Sequence, residues 1–175
     1  MSLTLDIPVI ETPRLTLRAF REDDLDVIAA FFADDRSRWV GGPKTRAESW
    51  RMISGSLGHW ALRGYGMWLA ADRISDTPVG AVGFLNPEDW DEPELGWHLY
   101  NGHEGRGLAH EAAEAARTYG AQHFGLTAPI SYIVPDNARS IALATRLGAT
   151  FEREGTVMGT PCHIYRHPRS GEGIQ

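Results

Sequence analysis

The sequence predicts a mixed α/β domain, and three observations carry the prediction. Strand-like and helix-like periodicities follow one another in the order βαα, three strands, helix, strand, helix, two strands. The apolar run Met67 to Ala71, the turn chemistry of Ser75-Asp76-Thr77-Pro78 and a second apolar run from Val79 to Leu85 read as a hairpin. Between Leu108 and Phe124, the residues Ala109, Ala112, Ala113, Ala116, Gly120 and Phe124 share one helical stripe. That face is small enough to lie close against a sheet.

In order along the chain, Arg14-Leu15-Thr16-Leu17-Arg18 alternates with the period of a half-buried strand, and Asp23-Asp24 opens a helix through Phe32 that buries Leu25, Ile28, Ala29 and Phe32. Asp34 to Thr45, with Gly41-Gly42-Pro43, reads as a loop. Arg46 to Leu62 has helical spacing through Trp50, Ile53, Leu57 and Trp60, weakened by Gly55 and Gly58. After the hairpin comes an acidic loop, Asn86 to Pro93, and a third strand, Glu94 to Leu99. Pro129 to Val134 is a strand, Asn137 caps a helix whose buried stripe is Ile141, Ala144 and Leu147, and Gly148 ends it. Ala149 to Gly155 and Cys162 to Arg166 form a last hairpin, and residues 169–175 lack apolar anchors and read as a frayed tail.

At 175 residues and 19.4 kDa the chain suits one domain, 1–175, with enough length for a core that needs neither disulfide nor metal. A single cysteine, Cys162, excludes an intramolecular disulfide, and no export-type leader opens the sequence, so a cytoplasmic location is expected. No apolar run reaches the roughly 20 residues of a membrane span. A net charge of −6 argues against a general affinity for nucleic acid, so an anionic ligand would have to be held locally.

The local holder is Glu104-Gly105-Arg106-Gly107-Leu108-Ala109, set between a strand and a helix. Two glycines let the backbone turn its N–H groups toward an anion, and the helix behind them presents its positive end. Glycine pairs also mark ordinary turns, and only the surroundings separate the two readings. Those surroundings are the strand Glu94 to Leu99, the helix with Glu111-Ala112, then Pro135-Asp136-Asn137-Ala138-Arg139-Ser140 and Leu147-Gly148, in that order. With the opening Ile10-Glu11-Thr12-Pro13-Arg14-Leu15-Thr16-Leu17-Arg18, the pattern resembles the GNAT superfamily of acetyl-CoA-dependent N-acetyltransferases, in the branch of the RimJ and RimL ribosomal-protein N-terminal acetyltransferases, over residues 10 to about 167.

The resemblance implies a mixed sheet of about seven strands flanked by about four helices. It also implies an enzyme that moves an acetyl group from acetyl-CoA to a primary amine, on a small molecule or a protein N-terminus. In such a fold the loop Glu104, Gly105, Arg106, Gly107, Leu108, Ala109 would bind pyrophosphate through backbone amides, and Trp97 to Leu99 would pair their backbone with the pantetheine arm. Glu104 and Asn101 depart from the family pattern, which leaves the backbone argument intact.

Asn137 and Ser140 match the family's Asn-x-x-Ser, one supporting the cofactor arm and the other near the thioester sulfur as a proton donor; both also serve as ordinary helix-capping residues. Ala144 stands where many members carry a tyrosine acid, which excludes that acid here. Glu94 and His98, on one strand face, are the candidate bases for deprotonating the amine, with a desolvated site that selects neutral amine as the third route. Trp39, Trp50 and Trp60 are candidates for an acceptor wall, and Glu88, Asp89, Asp91, Glu92 and Glu94 form either a solvated acidic loop or a guide for a cation. Arg106 and Arg139 read as surface arginines or phosphate partners. No metal-ligand spacing occurs, so no metal is expected. The alternative function is an acyl-CoA-binding domain without turnover, and a homodimer is compatible with either.

Overall fold

The computed structural model describes residues 4–170. Its elements are β1 (Ile10–Glu11), β2 (Leu15–Arg18), α1 (Leu25–Ala33), α2 (Arg46–Arg63), β3 (Met67–Asp72), β4 (Pro78–Leu85), β5 (Glu94–Leu99), α3 (Leu108–His123), β6 (Ile130–Ile133), α4 (Ala138–Arg146), β7 (Thr150–Val157) and β8 (Thr160–Arg166). The strands form one mixed sheet in the order β1-β2-β3-β4-β5-β6-β8-β7, antiparallel except where β5 meets β6.

The expected architecture is present, and three details sharpen it. The sheet has eight strands rather than about seven, because Thr12 N donates to Leu15 O at 2.8 Å and this turn separates β1 from β2. The expected loop after α1 contains a 3-10 helix over Asp35–Val40, started by the Asp34 side chain accepting from Arg36 N. Arg169 and Ser170, read as the start of a frayed tail, are tied to Thr127 by hydrogen bonds of 3.3 and 2.9 Å; the rest of that tail lies outside the described residues.

Two packed layers flank the sheet. On one face Leu15, Leu17, Trp68, Val82, Phe84 and Leu95 meet Leu108, Ala112, Ala113 and Ala116 of α3, Leu143 of α4 and Leu147 at its C-cap. The small stripe of α3 is required: a Cβ on Gly120 would lie 2.4 Å from the Phe84 ring. On the other face Met67, Leu69, Ala71 and Ala81 pack against Ile28, Phe31 and Phe32 of α1 and Ile53 of α2. Phe31 takes the buried place expected for Leu25, which is only half-buried. Strand β5 runs through the middle, so its alternate side chains reach both layers.

Candidate active site

Strands β5 and β6 are parallel neighbours, yet they pair at a single register, Glu94 opposite Ile130. Beyond that point the groups of β6 turn to other partners. Tyr132 N donates to the Glu94 carboxylate at 3.1 Å, and the Ser131 hydroxyl donates to Leu95 O at 2.6 Å. Strand β5 is paired with β4 along its whole length, Trp97 opposite Val82 and Leu99 opposite Gly80, but its other edge is open from Gly96 onward. The two strands therefore diverge around a cleft of about 500 Å³.

A buried chain holds the divergence. Ser131 has spent its one proton on Leu95 O, so it accepts from His167 Nε2 at 2.9 Å, which leaves His167 Nδ1 to accept from Arg117 at 3.2 Å. Burial, with Arg117 and Arg166 nearby, pushes His167 down to about 3, so the ring is neutral in this arrangement. Neither Ser131 nor Arg117 was singled out from sequence; a serine in a strand and an arginine on a helix carry no local signal.

At its C-terminal end β5 leads into the glycine loop. Gly102, Gly105 and Gly107 have φ of 88, 74 and 76°, a region that costs other residues energy. Gly107 is the N-cap of α3 and no side chain caps that end, so the first N–H groups of the helix are left to an external acceptor. Leu108 is buried beneath the loop, Ala109 is half-buried, and Arg106 is exposed. The Glu104 carboxylate is turned away, paired with Arg36 and accepting from Gly102 N. Sequence reading overlooked the brace beneath the loop: Arg14 donates to Arg106 O at 2.7 Å and to Glu111 at 2.6 Å, while Thr12 donates to Glu111 at 2.6 Å. The adjacent Thr12-Pro13-Arg14 and Glu111, on an alanine-rich helix, were the available signals.

Asn137 and Ser140 both line the cleft. The Asn137 side-chain oxygen accepts from Ser140 N at 3.3 Å, and its amide nitrogen donates to the Ser140 hydroxyl at 3.1 Å. One side chain thus caps α4 and leaves the Ser140 proton free to donate. Ala144 is buried beside Ile133, Ala149 and Tyr165, so no acid comes from that turn of the helix.

Glu94 and His98 share the face of β5 toward α1. Glu94 is buried, and desolvation lifts its carboxyl from 4.5 to about 8 against the opposing pull of the Tyr132 N–H. His98 stacks on Phe31 at 5.1 Å, and burial pushes it down to about 4. Its Nε2 is out of contact with solvent and has no partner among the described residues.

The acceptor wall differs from expectation. Only Trp39 of the three candidate tryptophans lines the cleft. Trp50 is 46% exposed and donates to Glu22, and Trp60 is a core residue donating to Met67 O. Trp90, overlooked within the acidic loop, lines the cleft and packs edge-on against Tyr132 at 5.3 Å. Two of the acidic residues are held by arginines: Glu92 pairs with Arg166 at 2.6 Å and with Arg153 at 3.4 Å, and Asp91 lies 3.6 Å from Arg153. Arg139 is exposed. Among the described residues, no group of three or more His, Cys, Asp or Glu is placed to hold a metal, and no helix is long and apolar enough to cross a membrane.

A family model for the acetyltransferase (GNAT) domain matches residues 14–150, most of the chain, including β5, the glycine loop, β6 and the start of α4. The chain belongs to the GNAT acetyltransferase family. An acetyltransferase from Agrobacterium tumefaciens is 34% identical, with a TM-score of 0.87 over 97% of this chain and 99% of that one. An uncharacterized N-acetyltransferase, p20, from Bacillus licheniformis is 28% identical over 82% of each chain. The RimL ribosomal L7/L12 α-N-protein acetyltransferase in complex with coenzyme A shares the fold at 17% identity, with a TM-score of 0.71 over 91% of this chain and 96% of that one. This GNAT protein is accordingly an acyltransferase.

Proposed function

We propose that this protein moves the acetyl group of acetyl-CoA to a primary amine by direct attack within a ternary complex. The observation that supports this most strongly is the split between β5 and β6, which opens a strand edge that leads to an uncapped helix end. The residues present fit the cosubstrate. Backbone groups of Trp97 and Leu99 would take the pantetheine amides as another strand would, with Asn137 supporting the arm. The N–H groups around Gly105, Arg106, Gly107, Leu108 and Ala109 would hold the diphosphate, with Glu104 contributing backbone alone.

Acetyl-CoA supplies an activated thioester carbonyl. The amine must lose a proton before its nitrogen attacks that carbonyl, and Glu94 is the better acceptor of the two candidates. A conjugate acid of about 8 can hold an ammonium's proton, whereas His98, at about 4, would give it up. The apolar cleft favours the neutral amine as well. As the carbon–sulfur bond breaks, Ser140 is placed to pass its proton to the departing sulfur and to be reprotonated by the second proton that the attacking nitrogen sheds as the amide forms. In this reading residues 1–175 work as one transferase domain in the cytoplasm, within the RimJ and RimL branch.

Initial rates measured by thiol release while both substrates are varied are expected to give intersecting reciprocal plots. Parallel plots, or no acetylated amine despite demonstrated cofactor binding, would contradict the proposal. The brace under the loop gives a second expectation. Arg14→Ala should raise KM for acetyl-CoA roughly 10-fold, about 1.4 kcal/mol, with kcat nearly unchanged. Unchanged KM would mean that the loop keeps its shape unaided.

A further inference from the structure

We infer, resting on that transfer reading, that the acceptor is a small-molecule monoamine carrying one aromatic or branched aliphatic group and no second positive charge. The part of the cleft away from the cofactor edge is walled by Phe32, Trp39, Met52, Leu85, Trp90 and Met158. These come from α1, the 3-10 helix, α2, β4, the acidic loop and the β7–β8 turn, so the chamber is assembled from six segments of the fold. Large apolar and aromatic side chains converging from separate elements make a pocket for an apolar group.

Charge points the same way. Among the described residues, the one permanently charged side chain lining the cleft is Arg38, which lies 4.6 Å over the Trp39 ring. The other ionisable lining groups are Glu94, His98 and Tyr132. Glu94 is the one carboxylate on the lining and its proton-accepting role is taken up by the reacting amine, while burial keeps His98 neutral, so no second anionic group faces an entering molecule. Glu92, the nearby carboxylate that could attract a polycation, is committed to Arg166 and Arg153 and does not line the cleft. A second ammonium on the acceptor would therefore find no further carboxylate on the lining, and the nearest charged side chain there is Arg38, a like charge already paired with Asp35.

The β7–β8 turn also closes on the cleft. Met158, at the β7–β8 turn, brings its Cε to 3.8 Å from the position a Cβ on Gly41 would take, so two lining segments, the turn and the residues after the 3-10 helix, meet beside the cleft. That bridge suits a small molecule better than an extended polypeptide, whose following residues would need a way out with backbone partners.

The test is equilibrium binding to protein saturated with CoA, comparing 2-phenylethylamine, spermidine and a hexapeptide beginning with serine. The expected result is that 2-phenylethylamine binds at least 10-fold more tightly than the other two. Trp90→Ala and Trp39→Ala should each remove most of that preference while CoA affinity stays the same. Spermidine or the peptide binding as tightly, no binding of 2-phenylethylamine, or a preference that survives both variants would overturn the inference. Because the readout is binding, selective uptake without any acetyl transfer would count against the transfer reading alone.

Discussion

Glu94→Gln is expected to lower kcat/KM for acetyl transfer about 100- to 10,000-fold, the range lost with a positioned general base. The pH profile gives the sharper signature. In the free protein the carboxyl is held up at about 8, mainly because burial desolvates its charged form, so kcat/KM should rise with pH and level off above that value. In Glu94→Gln that limb should vanish. Stability should move in the opposite direction. A carboxyl whose folded value lies above its ordinary 4.5 binds its proton more strongly in the folded state. The stabilisation is complete below about 4.5 and is lost as pH rises through about 8. Denaturant unfolding between pH 5 and 9 should therefore show the wild type losing stability relative to Glu94→Gln. A wild-type activity limb near pH 6, or an unaffected variant, would remove Glu94 from this role.

Gly107→Asp is expected to weaken CoA binding about 100-fold, while Gly107→Asn stays within about 10-fold. Position 107 has φ of 76°, a conformation that aspartate and asparagine tolerate better than other side chains. A Cβ there would make an ordinary contact, 3.5 Å from the Arg14 guanidinium, so both variants should fold. They differ in charge and in the pairing a carboxylate there can make with Arg14. At an effective dielectric near 20, a negative charge about 5 Å from a phosphate charge costs on the order of 3 kcal/mol before salt screening. A 100-fold loss corresponds to about 2.7 kcal/mol. Calorimetric titration of CoA into both variants checks this. Equal weakening of the two would mean that the backbone turn matters and the charge does not, and tight binding by Gly107→Asp would place the diphosphate elsewhere.

Much of this fold was legible because its elements carry local marks. The start of α4 is written in Asn137 and its end in Gly148, whose φ is 82°. The packed face of α3 is written in the spacing of Ala112, Ala113, Ala116 and Gly120. The glycine loop was visible for the same reason: unusual backbone needs unusual residues. Illegible features depend on partners distant in sequence. Ser131, His167 and Arg117 meet only after β6, β8 and α3 have packed, and nothing near any of them records the meeting.

The tryptophans show the same limit. Periodicity places Trp50 on a helix but not against a particular wall, and the side chain lies on the surface. Trp90 sits among acidic turn residues that conceal its inward position. The separation of the β5 and β6 edges is a tertiary property, visible only as a missing ladder. The family resemblance supplied the expectation of an open strand; the hydrogen bonds of Glu94 and Ser131 supply its physical cause.

The central claim is that the split between β5 and β6 is the track for acetyl-CoA. A crystal structure of the protein with CoA tests it most directly. The account predicts the pantetheine arm running beside Trp97 to Leu99, inside the split, with the diphosphate on the N–H groups of Gly105 to Ala109. CoA bound outside the split, or β5 and β6 fully paired in the complex, would contradict it.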